Sequence, residues 1–172
     1  NTPPGYLLSY FDISGAEIRT VAYQSNAKFF MDCYKEGRDV YITAAGIVEP
    51  GEDKSYYKAQ RGKYKQILLG RLFGMGDELM AEMTESTLQE SIERGNQMFK
   101  LMPEVEQYIQ KKAEYCTVHE GLCETILGDT MVMEGKRDDQ WQRLGINQVI
   151  QGFTAIALAE GFFNNIYQSY KT

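Results

Sequence analysis

The stretch Lys54-Ser-Tyr-Tyr-Lys58-Ala-Gln-Arg61-Gly-Lys63-Tyr-Lys65-Gln-Ile-Leu-Leu69-Gly-Arg71-Leu-Phe73-Gly74 reads as the longest helix of the chain up to Phe73, with Gly74 and Gly76 as terminators. Arg61, Lys65, Leu69 and Phe73 are spaced by four and lie on one slowly turning stripe. Two cations, an apolar residue and a ring in that order suit a ligand with charged phosphates at one end and a base and sugar at the other. Gly70 and Gly74 adjoin the ring end and allow a ligand close to the backbone. On spacing alone, an amphipathic helix with a basic face is an equally good reading.

Helical periodicity extends outward on both sides. Residues 16–25, 28–36, 40–48, 77–83, 85–101 and 104–117 read as helices, with Gly37, Pro50-Gly51 and Pro103 as punctuation. Tyr6 to Asp12 is rich in aromatic residues and reads as a buried strand ending at the aspartate. Leu122 to Met133, with Gly128-Asp129 at its centre, reads as a two-stranded hairpin. A final helix is expected from about Asp138 to Tyr170. The fold class is mainly α with a few β-strands, an α+β arrangement in one continuous unit without repeat, linker or low-complexity tract.

The 172 residues suffice for one domain with a sizeable core. The chain opens on Asn1, as a processed product or an internal piece would. The most apolar run, Gly152 to Phe163, is short and interrupted by Glu160, and the start Asn-Thr-Pro-Pro-Gly lacks the regions of a signal peptide. An intracellular protein is expected, cytoplasmic or nucleoid-associated in a phage or bacterial setting, neither secreted nor membrane-bound. Cys33, Cys116 and Cys123 form neither a paired set nor a metal-ligand spacing and read as reduced structural thiols.

A net charge of −6 argues by itself against nucleic-acid binding. The average conceals a segregation: Lys54, Lys58, Arg61, Lys63, Lys65 and Arg71 fall in one stretch, while Asp77, Glu78, Glu82, Glu85, Glu90 and Glu93 dominate the next. Solvated helix faces are the plain reading of such blocks.

Two further constellations stand out. Asp12, at the exit of an apolar strand, projects a carboxylate from a rigid element, which suits a hard cation; capping the helix after Gly15 is the competing reading. Arg143, Asn147 and Gln151, spaced by four on the last helix, can donate to the minor-groove acceptors that every base pair displays, or form ordinary polar surface.

Taken in order, Asp12-Ile-Ser-Gly-Ala-Glu17-Ile-Arg19, Arg61-x3-Lys65-x7-Phe73-Gly74 and Arg143-x3-Asn147-x3-Gln151-Gly152 resemble the motifs of the polymerase I family (family A) of DNA polymerases. Tyr34-Lys-Glu-Gly-Arg-Asp39 resembles the family's link between its first two motifs, so the likeness covers nearly the whole chain. The resemblance implies part of the palm plus fingers of a right-hand polymerase. Residues 1–52 would be the palm strand and first fingers helices, 53–118 the fingers, and 119–172 a hairpin and primer-template helix returning to the palm.

It further implies catalytic roles for Asp12 and Lys65 and Mg2+ on Asp12 and the carbonyl of Ile13. Nucleotide would be held by Ile13, Glu17, Tyr41, Arg61, Lys65, Leu69 and Phe73, with Glu17 part of the barrier against ribonucleotides. Primer-template DNA would be held by Arg143, Asn147 and Gln151. The reaction implied is two-metal addition of deoxynucleotides to a primer 3′ end. The chain departs from the family at Phe73, where tyrosine is usual, at Leu69, where phenylalanine or tyrosine is usual, and at Tyr41, where histidine is usual. No His-Asp pair occurs, His119 being the single histidine. The second catalytic aspartate, the thumb and any exonuclease are therefore expected from another chain or segment, and the chain alone is expected not to extend a primer. A non-catalytic polymerase-like scaffold and a fragment of a single-subunit RNA polymerase are the alternatives.

Overall fold

The computed structural model describes residues 3–5, 13–125, 127–133, 138–164 and 168. The expected strand Tyr6–Asp12, and Asp12 itself, lie outside the described residues, as does most of the chain after Asn164. Among the described residues eight α-helices and one hairpin follow in order: α1 Ala16–Ser25, α2 Lys28–Lys35, α3 Val40–Val48, α4 Lys54–Leu72, α5 Asp77–Met83, α6 Leu88–Lys100, α7 Pro103–Val118, β1 Leu122–Glu124, β2 Thr130–Val132 and α8 Asp138–Leu158. The expectation of a mainly helical chain with a small sheet holds.

Local chemistry sets most boundaries. The Asp39 side chain accepts from the backbone N–H of Tyr41 and Ile42 and starts α3. Asp53 accepts from Tyr56 N–H and starts α4, and Pro103 opens α7 in the first turn, where its missing N–H costs nothing. Asn26, at φ 54°, closes α1 in the left-handed region.

Two expectations need correction. The helix anticipated from Glu85 begins at Leu88, because Glu85 takes φ 49° and Thr87 forms a reciprocal capping box with Glu90. The last helix does not continue uniformly: after Leu158 it widens into a π-helical turn, Ala159–Phe163, around Gly161.

The principal core gathers Ile18 and Val21 of α1, Phe30 of α2, Ala44 and Ala45 of α3, Tyr64, Ile67 and Leu68 of α4, Met98 of α6, and Ile146 and Ile150 of α8. A smaller cluster joins Tyr108 and Cys116 of α7, Cys123 and Met133 of the hairpin, and Val149 of α8. Helix α8 thus belongs to both, with α7 and α1 along its flanks. The hairpin pairs Leu122 with Val132, Cys123 with Met131 and Glu124 with Thr130, turning at Gly128 with φ 87°. All three cysteines are free and buried, yet packing brings Cys116 Sγ and Cys123 Sγ to 3.2 Å, beneath Gly145 of α8. Spacing hid that neighbour relation because it joins the end of a helix to a strand.

Candidate nucleotide and nucleic-acid site

The buried face of α4 is fixed by Tyr64, Ile67 and Leu68, which turns Gly62, Lys65, Gln66, Leu69 and Phe73 toward a cavity of about 680 Å³. Across the cavity stand Arg143, Leu144 and Asn147 of α8, with Met75 and Met83 at its edge. Lys65, Leu69 and Phe73 thus meet Arg143 and Asn147 although 70 or more positions separate them in the chain.

Two features of this wall matter chemically. Asn147 Oδ1 is buried without a hydrogen-bond partner, an acceptor that costs free energy until a donor reaches it. The Lys65 side chain is exposed, and no partner is found for it among the described residues. A cation and an unfilled acceptor therefore line the same space, a combination able to take both an anionic and a donor-bearing part of one ligand.

The glycines serve packing rather than ligand approach. At Gly74, φ 71° excludes most side chains, and a Cβ would sit 2.8 Å from Arg143 Cγ, so the arginine stem already fills the space. At Gly70 the missing Cβ is filled by Met75 Sδ, which would stand 3.2 Å away. Open backbone at these two positions was the expectation, and side chains close it.

Arg61 is not in this cavity. Its Nε donates to Asp39 Oδ2 at 2.8 Å and its guanidinium lies 5.1 Å from the Tyr41 ring centroid. Together with Ser14, Gly15, Arg19, Tyr34 and Arg38 these residues line a second cavity of about 300 Å³. Burial acts to raise the Asp39 carboxyl, but Arg61 and the N–H groups of Ile42 and Tyr41 outweigh it and hold the group below its ordinary value. Burial pushes the Tyr41 hydroxyl up, against Arg61 and with Asp39 and Glu17 adding. Glu17 itself is half-buried and lines neither this cavity nor that of Lys65. The Tyr34 hydroxyl is pushed to about 12 by burial, with the Arg19 guanidinium 4.2 Å from its ring centroid.

Ile13 is 46 % exposed and lines a third, apolar cavity of about 300 Å³ between α1 and α8, with Thr20, Tyr23, Phe153 and Thr154. Its carbonyl accepts from Ala16 N–H at 3.2 Å. Gln151 is exposed and outside the cavity that holds Arg143 and Asn147. Among the described residues no group of three or more His, Cys, Asp or Glu side chains is placed to hold a metal ion. The Ile13 carbonyl alone is too few oxygen ligands for Mg2+, and Asp12, the other residue expected to hold the ion, lies outside the described residues.

Sequence reasoning missed Arg38 and the tie between Asp39 and Arg61. The spacing of 22 residues between loop and helix carries no periodic signal for the pairing.

DNA polymerase I of Helicobacter pylori (strain J99) is 27 % identical over 172 residues, covering 93 % of this chain and 19 % of the relative. DNA polymerase theta of Drosophila melanogaster is 25 % identical over 150 residues, covering 84 % of this chain and 7 % of the relative. The chain therefore spans about a fifth or less of the length of these relatives. The POL domain of Pol1 from M. smegmatis, solved in complex with DNA primer-template and dNTP, shares the fold with a TM-score of 0.71 at 20 % identity, over 82 % of this chain and 26 % of that one. The family model for DNA polymerase family A matches residues 1–168, and the chain belongs to that family.

Proposed function

We propose that this chain forms the nucleotide-binding and primer-template-binding part of a template-directed DNA polymerase that adds deoxynucleotides to a primer 3′ end. The observation that carries the reading is the cavity of about 680 Å³ in which Lys65, Leu69 and Phe73 of α4 face Arg143 and Asn147 of α8. Phe73 and Leu69 offer an apolar bed for base and sugar, and Lys65 a cation for phosphate. Asn147 presents its amide to the minor-groove edge of the duplex, where the amide N–H groups donate to base acceptors and the unpartnered Oδ1 accepts from a guanine amino group, and Arg143 lies on Gly74 at the junction of the two helices. Arg61 and Tyr41, which line the second cavity, take the distal phosphates. Glu17 disfavours a ribose hydroxyl.

Asp12 and the Ile13 carbonyl are this chain's share of a Mg2+ site, with the second catalytic aspartate, the thumb and any exonuclease supplied by another chain or segment. Two Mg2+ ions, when bound, supply the charge neutralisation that phosphoryl transfer needs. The work is placed inside the cell, on cytoplasmic or nucleoid-associated DNA.

The test compares Lys65→Ala with Lys63→Ala in the assembled polymerase, reading KM for deoxynucleotide in primer extension. Lys65→Ala should raise KM about 10- to 100-fold, the range for losing one charged hydrogen bond. Lys63→Ala should leave it within about twofold, since Lys63 stands in the field of Glu90, off the cavity. Equal effects would reduce α4 to a basic surface, and preferred incorporation of ribonucleotides would move the reading to RNA synthesis.

A further inference from the structure

The nucleotide reading leaves the smaller core cluster without a role, and that cluster holds two thiols set against each other. Cys116 is 1 % exposed and Cys123 is 3 % exposed, both are free, and their Sγ atoms stand 3.2 Å apart. Cys33, the third cysteine, is buried in the principal core instead. A buried cysteine taken singly is a small apolar filler, which is all that Cys33 needs to be. A pair in sulfur contact is open to chemistry that a filler is not.

Backbone hydrogen bonds hold the pair in place. Helix α7 ends in a reversal in which Gly121 N–H donates to the Cys116 carbonyl at 2.7 Å and Glu120 N–H to the Thr117 carbonyl at 3.3 Å, the two bonds of a Schellman motif. Glu120 at φ 52° and Gly121 at φ 87° both enter the left-handed region to make it. Strand β1 starts at once, at Leu122, and so carries Cys123 back over the helical turn that Cys116 occupies. From the other side α8 presents Gly145, where a Cβ would collide with Cys116 Sγ and stand 3.1 Å from Cys123 Sγ. A glycine inside a 21-residue helix weakens it, and here the two sulfurs together take the place of its side chain.

The hairpin is the side of the pair that can move. Thr130, Met131 and Val132 of β2 are all exposed, and among the described residues the hairpin gives only Cys123 and Met133 to the buried cluster. An element with so few buried contacts opens at lower free energy than the core. Burial, with Cys116 beside it, pushes the Cys123 thiol up to about 12, while Lys112 acts the other way. In the closed fold that thiol stays protonated, and thiolate chemistry waits for the hairpin to open.

We infer that Cys116 and Cys123 form a modification site, which a low-molecular-weight disulfide such as oxidised glutathione converts to a reversible disulfide that clamps the hairpin to the end of α7. With the hairpin open, one cysteine thiolate attacks the small disulfide, whose S–S bond breaks and releases one thiol. As the hairpin closes, the other cysteine attacks the mixed disulfide and expels the second thiol. The protein gives up two electrons and two protons, and both leave on the two small thiols. The new bond of about 2 Å asks the sulfurs to approach by roughly 1 Å. Gly145 stands between Arg143 and Asn147 on α8, so the clamp braces the helix that supplies both to the main cavity. None of this rests on the polymerase reading.

The test incubates the full native protein with oxidised glutathione, quenches with N-ethylmaleimide in denaturant and maps tryptic peptides. Lys112 and Lys136 bound one peptide, 113–136, that carries both cysteines, and Cys33 falls in another. Peptide 113–136 should become two hydrogens lighter and blind to N-ethylmaleimide, while Cys33 takes up the reagent in full. Dithiothreitol should reverse the change. The amides of Thr125 and Met133, which bond to the Asp129 and Gly121 carbonyls, should exchange about 10- to 100-fold more slowly in the oxidised protein. In Cys116→Ala and in Cys123→Ala the remaining thiol should stop at the glutathione mixed disulfide, with no slowing of exchange; should either variant fail to fold, the parent protein still decides. Two N-ethylmaleimide groups on peptide 113–136 after prolonged oxidation, or a mixed disulfide that persists on it, would each overturn the inference. So would glutathione reaching Cys33 at the same rate, which would trace the reaction to global unfolding, or unchanged exchange in protein whose peptide is oxidised, which would remove the clamp.

Discussion

The two ends of α4 use the same residue types for opposite purposes. Toward the C-terminus, Arg71 donates from Nη1 to Asn96 Oδ1 at 2.8 Å and from Nη2 to the Ile92 carbonyl at 3.2 Å, stands 3.7 Å from Asp77 Oδ1, and lies across Gly95. Gly70, one position earlier, exists to admit Met75. Toward the N-terminus, Lys58 and Lys65 have no partner among the described residues and Gly62 faces open space. A cation or a glycine in a helix thus means packing where α5 and α6 come against it and an open surface where nothing does. The neighbours decide, and the helix sequence by itself does not.

Breaking the packed end should have the largest effect. Arg71→Ala removes two hydrogen bonds and the cover over Gly95, and should cost about 2–3 kcal/mol in the denaturant midpoint, whereas Lys58→Ala should stay within about 0.5 kcal/mol. Comparable losses would mean that both ends are structural.

The glycines sharpen the contrast with opposite signs. Gly70→Ala places a Cβ 3.2 Å from Met75 Sδ in a filled corner and should cost about 1 kcal/mol, while Gly62→Ala should stabilise by about 0.5–1 kcal/mol through helix preference alone. Thermal unfolding of the two variants checks this, and a shared sign would remove the distinction.

The smallest effect concerns the tie that holds Arg61 out of the main cavity. The Asp39 carboxyl is held below its ordinary value of 3.8, so its contribution is present above that pH and is lost as pH falls through the lower folded value. Asp39→Asn should leave the shape of the stability profile near neutrality alone and flatten its acid limb below about pH 4, by under about 1 kcal/mol for so exposed a pair. An acid limb identical in both proteins would show that the pair is not populated in solution.

Helix existence and most boundaries were legible because they rest on local signals. Gly37, Pro50-Gly51, Pro103 and the helical spacing of α4 each act within a turn or two, whereas the Asp39 and Asp53 caps emerged only in the structure. The expected start of α6 at Glu85 was three residues early because the Thr87–Glu90 box, a local signal, was not read. The π-helical turn at Ala159–Phe163 gave no periodic warning. Of the candidate site, the residue types along Lys65, Leu69 and Phe73 and along Arg143 and Asn147 were readable as two separate stripes, each with a plainer explanation beside it.

By itself, then, the sequence determined the helical class, most helix boundaries and the two chemical stripes, since each depends on interactions between residues no more than a few positions apart. Only the tertiary structure decided that the two stripes share one cavity, that Arg61 turns away from it to Asp39, that Gly70 and Gly74 are filled while Gly62 is bare, and that Cys116 and Cys123 touch. Those outcomes depend on which helix packs against which, and long-range burial of Tyr64, Ile67, Ile146 and Ile150 in one core fixes that choice.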